Sequence, residues 1–208
     1  MEIAIQPLKA HNLDEAFELA TEVFSHASTL HRALGVTLED YRTYLRPQFQ
    51  QVVAQGLSVV AIDTRTGDVM GCMIVTDYAK QSAGDVGTHP VMTPLAALAR
   101  ELDHQYTAAG TVSPGQVILI DMGAVRPKGQ GRGIYQSMRA QVHTIAKSKG
   151  FLRVVGELSS EATQHVVLTQ LGHAKAAEVS LHDFECDGAF PFRTITQPRS
   201  IVLAEGQL

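Results

Sequence analysis

A glycine-rich segment between a strand pattern and a helix pattern constrains the fold of this chain more than any other feature. Residues 117–125 are mostly apolar, as in a strand that is covered on both faces. The letters RPKGQGRG follow, and apolar residues then recur at helical spacing as far as Gly150. Residues 151–158 return to a strand pattern. Because a strand, a helix and a second strand in this order usually form a crossover, we expect two parallel neighbouring strands.

The rest of the chain predicts one mixed α/β domain over residues 1–208. Before this unit, the patterns favour a strand, two helices, two strands joined by a turn, a loop over residues 79–90 and a helix ending at Tyr106. After it, they favour a helix over residues 161–171 and two strands that flank a turn at residues 187–188.

Short polar pairs mark the starts of the first two helices. Asn12 and Glu15 form an N-cap pair ahead of apolar residues at helical spacing, and Thr37 with Asp40 gives a similar signal for the second helix. We expect Gly56 to end that second helix.

Composition and charge exclude several function classes. A net charge of −4 argues against a main role in binding nucleic acid. No apolar run is long enough to span a bilayer, and residues 1–17 lack the basic start and apolar middle of a signal peptide, so we expect a cytoplasmic protein without a membrane partner. Cys72 and Cys186 do not have a metal-binding spacing, so we expect no metal site and two reduced thiols.

The glycine-rich segment is typical of a site for a phosphate-bearing cofactor. A helix N-terminus carries unpaired N–H groups and a partial positive charge, and glycines let an anion approach them. Lys128, Gln130 and Arg132 add charge or hydrogen-bond donors. The alternative is a glycine-rich turn that only connects the strand to the helix.

Two common nucleotide motifs fit this segment poorly. A Walker loop needs Gly-Lys followed by Ser or Thr, which is absent. In a dinucleotide fingerprint the third glycine would fall on Ile134 or Gln136. Glu157 does lie near the end of the next strand, where a ribose-binding acid would stand, but the glycine spacing argues against this interpretation.

Residues 125–134, VRPKGQGRGI, resemble the central motif of the GCN5-related N-acetyltransferase superfamily, V-x-P-x-x-[QR]-G-x-G-[IVA]-[GA]. Tyr135 departs from it, because Gly or Ala is usual there. The order of predicted elements is also similar to the superfamily, and residues 170–173, QLGH, resemble its K-L-G-F turn. The resemblance implies a single domain with a mixed sheet that is splayed at its centre and flanked by helices.

The resemblance also implies an acetyltransferase that uses acetyl-CoA, or another acyl-CoA, as co-substrate. A primary amine, expected to be a small molecule, would attack the thioester directly. Backbone groups of one strand segment would bind the pantetheine arm: Met122, Gly123, Ala124 and Val125. Amides of the glycine loop would bind the pyrophosphate: Gln130, Gly131, Arg132, Gly133, Ile134 and Tyr135. Homodimers are common in the superfamily, so the resemblance is compatible with one.

Asp121 and Glu157 are the candidate catalytic residues. An ammonium substrate must lose a proton before it attacks, so a base is needed. Asp121 is the only charge within residues 117–125, at a position where arylalkylamine-type members can carry an acid–base residue. Glu157, on the adjacent strand, is the second choice. The alternative is that each is an ordinary structural carboxylate. His26 and His31 are better interpreted as polar loop residues than as bases.

The group that protonates the leaving thiolate is not evident from the sequence. Many superfamily members use a tyrosine four residues before the glycine of K-L-G-F, and Leu168 occupies that position here. The resemblance then leaves solvent, His165 or Ser160 for this step. Leu168 also favours the alternative function, a catalytically inactive CoA-binding sensor or interaction protein. A looser similarity to the arylalkylamine branch rests on Phe24 and on the pattern of the terminal hairpin.

Overall fold

A seven-stranded sheet forms the centre of the chain, whose computed structural model describes residues 1–80, 89–108 and 110–208. The strands lie in the order β1-β2-β3-β4-β5-β7-β6, and only β4 and β5 are parallel. Their bounds are β1 Ile3–Pro7, β2 Val59–Asp63, β3 Val69–Asp77, β4 Val117–Val125, β5 Arg153–Leu158, β6 Ala174–Ser180 and β7 Ser200–Gln207. The predicted mixed α/β class and the predicted parallel pair are confirmed.

Six α-helices flank the sheet in the described part of the chain. They are α1 Ala10–Ala27, α2 Thr29–Ala33, α3 Leu38–Gln55, α4 Thr93–Thr107, α5 Ile134–Ser148 and α6 Glu161–Gln164. Short 3₁₀ turns stand on either side of the predicted loop at residues 79–90, most of which lies outside the described residues. No helix among the described residues is long and apolar enough to cross a bilayer.

Capping explains where α1 and α3 begin. At α3 the prediction is confirmed: the Asp40 N–H donates to Thr37 Oγ1 at 3.1 Å, and the Thr37 N–H donates to Asp40 Oδ2 at 2.9 Å. At α1 the predicted start is wrong. The Lys9 N–H donates to Asn12 Oδ1 at 2.8 Å, so Lys9 is the N-cap and Asn12 belongs to the first turn. Glu15 instead accepts a hydrogen bond from the backbone of Val69 at 2.8 Å.

The C-terminal part of the chain differs from the sequence prediction in two ways. The expected α-helix over residues 161–171 is α-helical only to Gln164, and His165–Gln170 forms a π-helix, in which the Leu171 N–H donates to the Val166 carbonyl at 3.0 Å. The turn at residues 187–188 joins only an isolated bridge between Cys186 and Ala189. The paired strands β6 and β7 flank the longer segment 181–199 instead.

The two faces of the sheet are covered by different helices. On one face α1 and α3 pack against Met122 and Ala124 of β4, in a cluster that includes Phe17 and Phe49. On the other face, apolar side chains of α5 pack with Ile118 and Ile120. Ile118, Ile120, Met122 and Ala124 are two residues apart and would share one face of a regular strand, so the change of face between Ile120 and Met122 marks an irregularity in β4.

An irregularity in β4 and the end of its pairing with β5 position the functional site. The parallel register runs from Val117–Arg153 to Ile120–Gly156, and β4 then continues to Val125 beside β3 alone. On the β3 side Ile74 pairs with Met122 and Val75 with Ile120, so Asp121 is the extra residue of a β-bulge. The sheet consequently opens between β4 and β5 directly after the bulge.

Candidate active site

A cavity of about 1160 Å³ occupies the opening between β4 and β5. At one end it reaches the glycine loop and the start of α5, and at the other end it reaches α1, α2 and α3. We refer to the first part as the loop side and to the second part as the helix side. A single cavity of this size has room for parts of two reactants.

Asp121 and Glu157 line this cavity, each one residue beyond the last pair of the parallel register. Neither carboxylate accepts a hydrogen bond or forms an ion pair among the described residues. The structural alternative, a carboxylate held in place by backbone amides or an arginine, is therefore not seen among the described residues. Two unpartnered carboxylates in one cavity favour a chemical over a structural role.

Desolvation raises the pKa values of both carboxyl groups towards neutral pH. It raises the pKa of Asp121 to about 6. It also raises the pKa of Glu157 to about 7, with further contributions from the negative charges of Asp121 and Asp103. The Glu157 side chain is exposed on its cavity side, and the protein around its other sides desolvates the carboxyl group. Asp121 ionises first, so the repulsion falls on Glu157.

The helix side presents a largely apolar and aromatic surface. Phe24 of α1 stacks on Tyr41 of α3, with ring centroids 6.3 Å apart and an interplanar angle of 13°. His31 of α2 meets the same tyrosine edge-on at 4.8 Å, and its Nδ1 lies 2.7 Å from Ser28 Oγ. Burial lowers the pKa of His31 to about 4, so the ring is neutral at pH 7. All four residues line the cavity.

The glycine loop forms the opposite end of the cavity. Gly131 and Gly133 have φ of 70° and 74°, a region that side chains disfavour, and Gly133 is the N-cap of α5. No protein atom lies within 4 Å of where a Cβ would stand on either residue. The first amides of α5 have no intrahelical partner. The loop therefore offers the open, donor-rich surface that a pyrophosphate needs.

Most of the predicted cofactor-binding residues line the cavity, and two do not. Those that line it are Met122, Gly123, Val125, Gln130, Gly131, Gly133, Ile134 and Tyr135. The side chain of Ala124 is instead packed inside the α1–α3 cluster and is only 1 % exposed. Arg132 is exposed on the outside of the loop. These two could contribute to the cavity only through their backbones.

Tyr135 extends from the first turn of α5 onto β4. A Cβ added to Gly123 would lie 2.6 Å from Cε2 of Tyr135, so the ring covers the strand at the position where a side chain is missing. From the sequence, the amide of Tyr135 was expected to bind the pyrophosphate, and its side chain was noted only as a departure from the motif. The contact between its ring and Gly123 depends on the docking of α5 on the sheet and could not be predicted.

Arg139 is a functional candidate that the sequence prediction missed. It lies one turn after Tyr135, is 2 % exposed, and lines the cavity. Its Nη2 lies 3.4 Å from His173 Nδ1, whereas Nε and Nη1 have no hydrogen-bond partner among the described residues. Burial lowers the pKa of Arg139, and interaction with Tyr135 opposes this. The signal in the sequence that could have identified Arg139 is its charge directly after Met138, which is buried.

The remaining sequence candidates are outside the centre of the site or have structural partners. His26 is exposed at the end of α1, with Nδ1 2.8 Å from the Glu22 carbonyl. Ser160 lines the cavity but caps α6 by accepting the Thr163 N–H at 3.2 Å. His165 is exposed, and Leu168 packs against a small apolar cluster beside β5 and β7.

Neither metal chemistry nor cysteine chemistry has a visible basis in the described residues. No group of three His, Cys, Asp or Glu side chains there could hold a metal ion. Cys72 and Cys186 are free thiols. Burial raises the pKa of Cys72 to about 12, which makes it a poor nucleophile.

Comparison with known proteins gives no match by sequence and several by structure. No family profile and no curated protein matches the chain. The C-terminal condensation domain of Ebony, solved with β-alanyl-dopamine, superimposes with a TM-score of 0.89 at 18 % identity over 100 % of both chains. A mosquito arylalkylamine N-acetyltransferase-like protein, 5b, gives 0.77 at 19 % identity, again over 100 % of both chains. The polyamine N-acetyltransferase of Drosophila melanogaster, which forms N-acetylagmatine, superimposes with a TM-score of 0.70 at 15 % identity over 100 % of both chains.

Proposed function

The chain has the fold of the GCN5-related N-acetyltransferases, and from this premise we propose that it transfers an acetyl group from acetyl-CoA to a primary amine. The observation that carries the proposal is the pair Asp121 and Glu157. Neither carboxylate has a partner among the described residues, and their pKa values are raised into the range of a useful general base. They stand between an anion-binding end and an aromatic end of one cavity.

The loop side suits the donor. In this proposal the amides of Gln130–Tyr135 bind the pyrophosphate, and the backbone of β4 beyond Ile120, which has no β5 partner, binds the pantetheine arm. Backbone N–H groups at the bulge around Asp121 are available to stabilise the oxyanion of the tetrahedral intermediate. Holding both reactants in one cavity supplies much of the rate enhancement.

The helix side suits a cationic amine with an apolar or aromatic part. The carboxylates of Asp121 and Glu157 attract the ammonium, and one of them accepts its proton, directly or through water. Phe24 and Tyr41 provide an aromatic surface for the remainder of the molecule. Similarity to an arylalkylamine acetyltransferase and to a polyamine acetyltransferase supports an amine acceptor and leaves both acceptor types to be tested.

A second candidate function concerns the acyl group. The condensation domain solved with β-alanyl-dopamine has a higher TM-score, 0.89, than the two acetyltransferases reported above, at 0.77 and 0.70. This favours testing an aminoacyl thioester as donor, with the same attack of an amine on the thioester carbonyl. The third alternative is a protein that binds CoA without turnover.

One assay separates the three alternatives. Release of the CoA thiol is measured with acetyl-CoA or β-alanyl-CoA, against a panel containing phenylethylamine, dopamine, histamine, agmatine and spermidine, and the amide is identified by mass spectrometry. We expect amine-dependent release with acetyl-CoA. Release with β-alanyl-CoA alone would assign the condensation function. Binding of CoA without release for any amine would leave a binding protein and overturn the enzymatic proposal.

A further inference from the structure

If the chain transfers an acetyl group as proposed, on which this inference rests, the departing thiolate takes up a proton. When the amine displaces the thioester sulfur, negative charge develops on that sulfur. A thiol of pKa about 8.5 leaves more readily when it is protonated or stabilised during departure. Leu168 has no proton to give, and it packs against apolar side chains.

Tyr135 lies on the face of β4 opposite to the carboxylate of Asp121. Gly123 faces α5, because a side chain there would meet the rings and methyls of Tyr135 and Met73. Asp121 lines the cavity together with Tyr41 of α3, and its charge raises the pKa of Tyr41, after the larger effect of burial. A thioester carbonyl docked on β4 would therefore have a base on one side and the phenol on the other. In the tetrahedral intermediate the amine nitrogen and the sulfur are two substituents of the same carbon, so one group can take the proton from nitrogen while another gives a proton to sulfur.

Arg139 places a buried positive charge beside that phenol. Arg139 follows Tyr135 by four residues on α5, so the two side chains lie on one face of the helix, and interaction with Tyr135 opposes the lowering of the Arg139 pKa by burial. The guanidinium forms no ion pair, and its Nε and Nη1 have no hydrogen-bond partner, among the described residues. Two imidazoles stand nearby, His143 of α5 and His173, whose rings stack at 6.2 Å. Desolvation, together with the charge of Arg139, lowers both of their pKa values to about 4, so they are neutral at pH 7. An unpaired buried cation is costly, and an anion that forms only during the reaction would compensate it.

We propose that Tyr135 is the proton donor to the leaving thiolate, and that Arg139 is a positioning residue that holds the phenol and stabilises the negative charge. The nitrogen lone pair forms the new C–N bond, and the C–S bonding pair moves to sulfur. Tyr135 gives its hydroxyl proton to that sulfur, so that free CoA leaves as a thiol. The proton from the amine goes to Asp121 or Glu157, and exchange with water restores the phenol.

Tyr135→Phe tests the proton donor, because it keeps the ring on Gly123 and removes only the hydroxyl. We expect kcat to fall about 10²-fold, with the KM for acetyl-CoA unchanged. An unchanged kcat would show that the ring is only a wall of the cavity and would overturn the proposal. A Tyr135→Ala variant that binds CoA more tightly and reacts faster than wild type would show that the ring obstructs the donor, and would also overturn it.

Arg139→Met tests the positioning residue with a readout that a structural role would not give. The variant removes a buried, unpaired charge at similar length, so its melting temperature should stay the same or rise. Its kcat should nevertheless fall, and the loss should be smaller when Tyr135 is already Phe, because the two act together. A rate equal to wild type would remove Arg139 from the step. The same conclusion would follow if Arg139→Met failed to fold while Arg139→Lys folded and had full activity. If wild type itself releases no CoA, the proposed function fails first, so the two failures are distinguishable.

Discussion

Glu157 of β5 lies beside Asp121 of β4, and each follows the last residue pair of the parallel register, Ile120 with Gly156. The charge of Asp121 raises the pKa of Glu157 because the strands separate only after these positions. With pKa values of about 6 for Asp121 and about 7 for Glu157, the pair carries between one and two negative charges at neutral pH. One carboxylate can therefore bind the ammonium while the other takes its proton.

The first prediction concerns the base. Asp121→Asn should lower kcat at neutral pH about 10²-fold, because the amide cannot accept the proton. The loss should shrink as the pH rises, since more of the amine is then already neutral. CoA affinity should change little, because the donor is expected to bind through backbone groups. The pH–rate profile and CoA titration of the same variant check this.

Glu157→Gln is the matched control for that experiment, because it removes the neighbouring carboxylate from the same cavity. If Asp121→Asn folds and keeps its rate across pH while Glu157→Gln loses it, the base is Glu157. If both variants keep the rate, neither carboxylate is the base, and the carboxylate pair no longer supports the proposed function.

The second prediction concerns stability and pH. A carboxyl group whose folded-state pKa is raised to about 6 contributes stability that is complete below pH 4 and is lost as the pH rises through 6. The free energy of unfolding of wild type should therefore fall, relative to Asp121→Asn, between pH 4 and pH 7. The buried histidines act in the opposite direction in both proteins and cancel in the difference. Urea unfolding at several pH values measures it, and a difference independent of pH would contradict the desolvation of Asp121.

The third prediction concerns the donor site. CoA should raise the melting temperature of the wild-type protein, and NAD or ATP should do so markedly less. Gly133→Val should abolish the effect of CoA by placing a side chain where the pyrophosphate approaches. Gly67→Val is the matched control, because Gly67 has φ of 83°, lies in the turn between β2 and β3, and has similarly open space around it. Equal loss of the CoA effect in both variants would show a general effect of backbone strain.

The fourth prediction concerns the acceptor. Phe24→Ala removes one ring of the stacked pair with Tyr41, so the KM for an aromatic amine should rise about tenfold, consistent with the loss of aromatic burial. The KM for a small aliphatic amine and for acetyl-CoA should change much less. A uniform change for all amines would place the aromatic part of the acceptor elsewhere in the cavity.

Local patterns predicted the framework of the site well. The glycine loop, the helix after it and the two parallel strands follow one another within residues 117–158, and their signals are nearly independent of the rest of the chain. The capping box at Thr37 was predicted for the same reason. At α1 the local signal of Asn12 was correct in kind but misplaced, because Lys9 gave no capping signal in the sequence and its backbone N–H is the donor.

The details of the site depend on non-local register and could not be predicted. Asp121 becomes the extra residue of a bulge only because β3 pairs with both of its neighbours. Tyr135 meets Gly123, and Arg139 meets His173, only after α5 has docked on the sheet.

Rapid mixing followed by acid quench tests the central claim most directly. Wild-type protein is mixed with ¹³C-acetyl-CoA and a reactive amine, and the amide, free CoA and the intact protein are measured by mass spectrometry at each time. We predict that amide and free CoA appear together in equal amounts and that the protein never carries the labelled acetyl group. An acetylated protein that forms before the amide and decays as the amide appears would contradict direct transfer within the cavity.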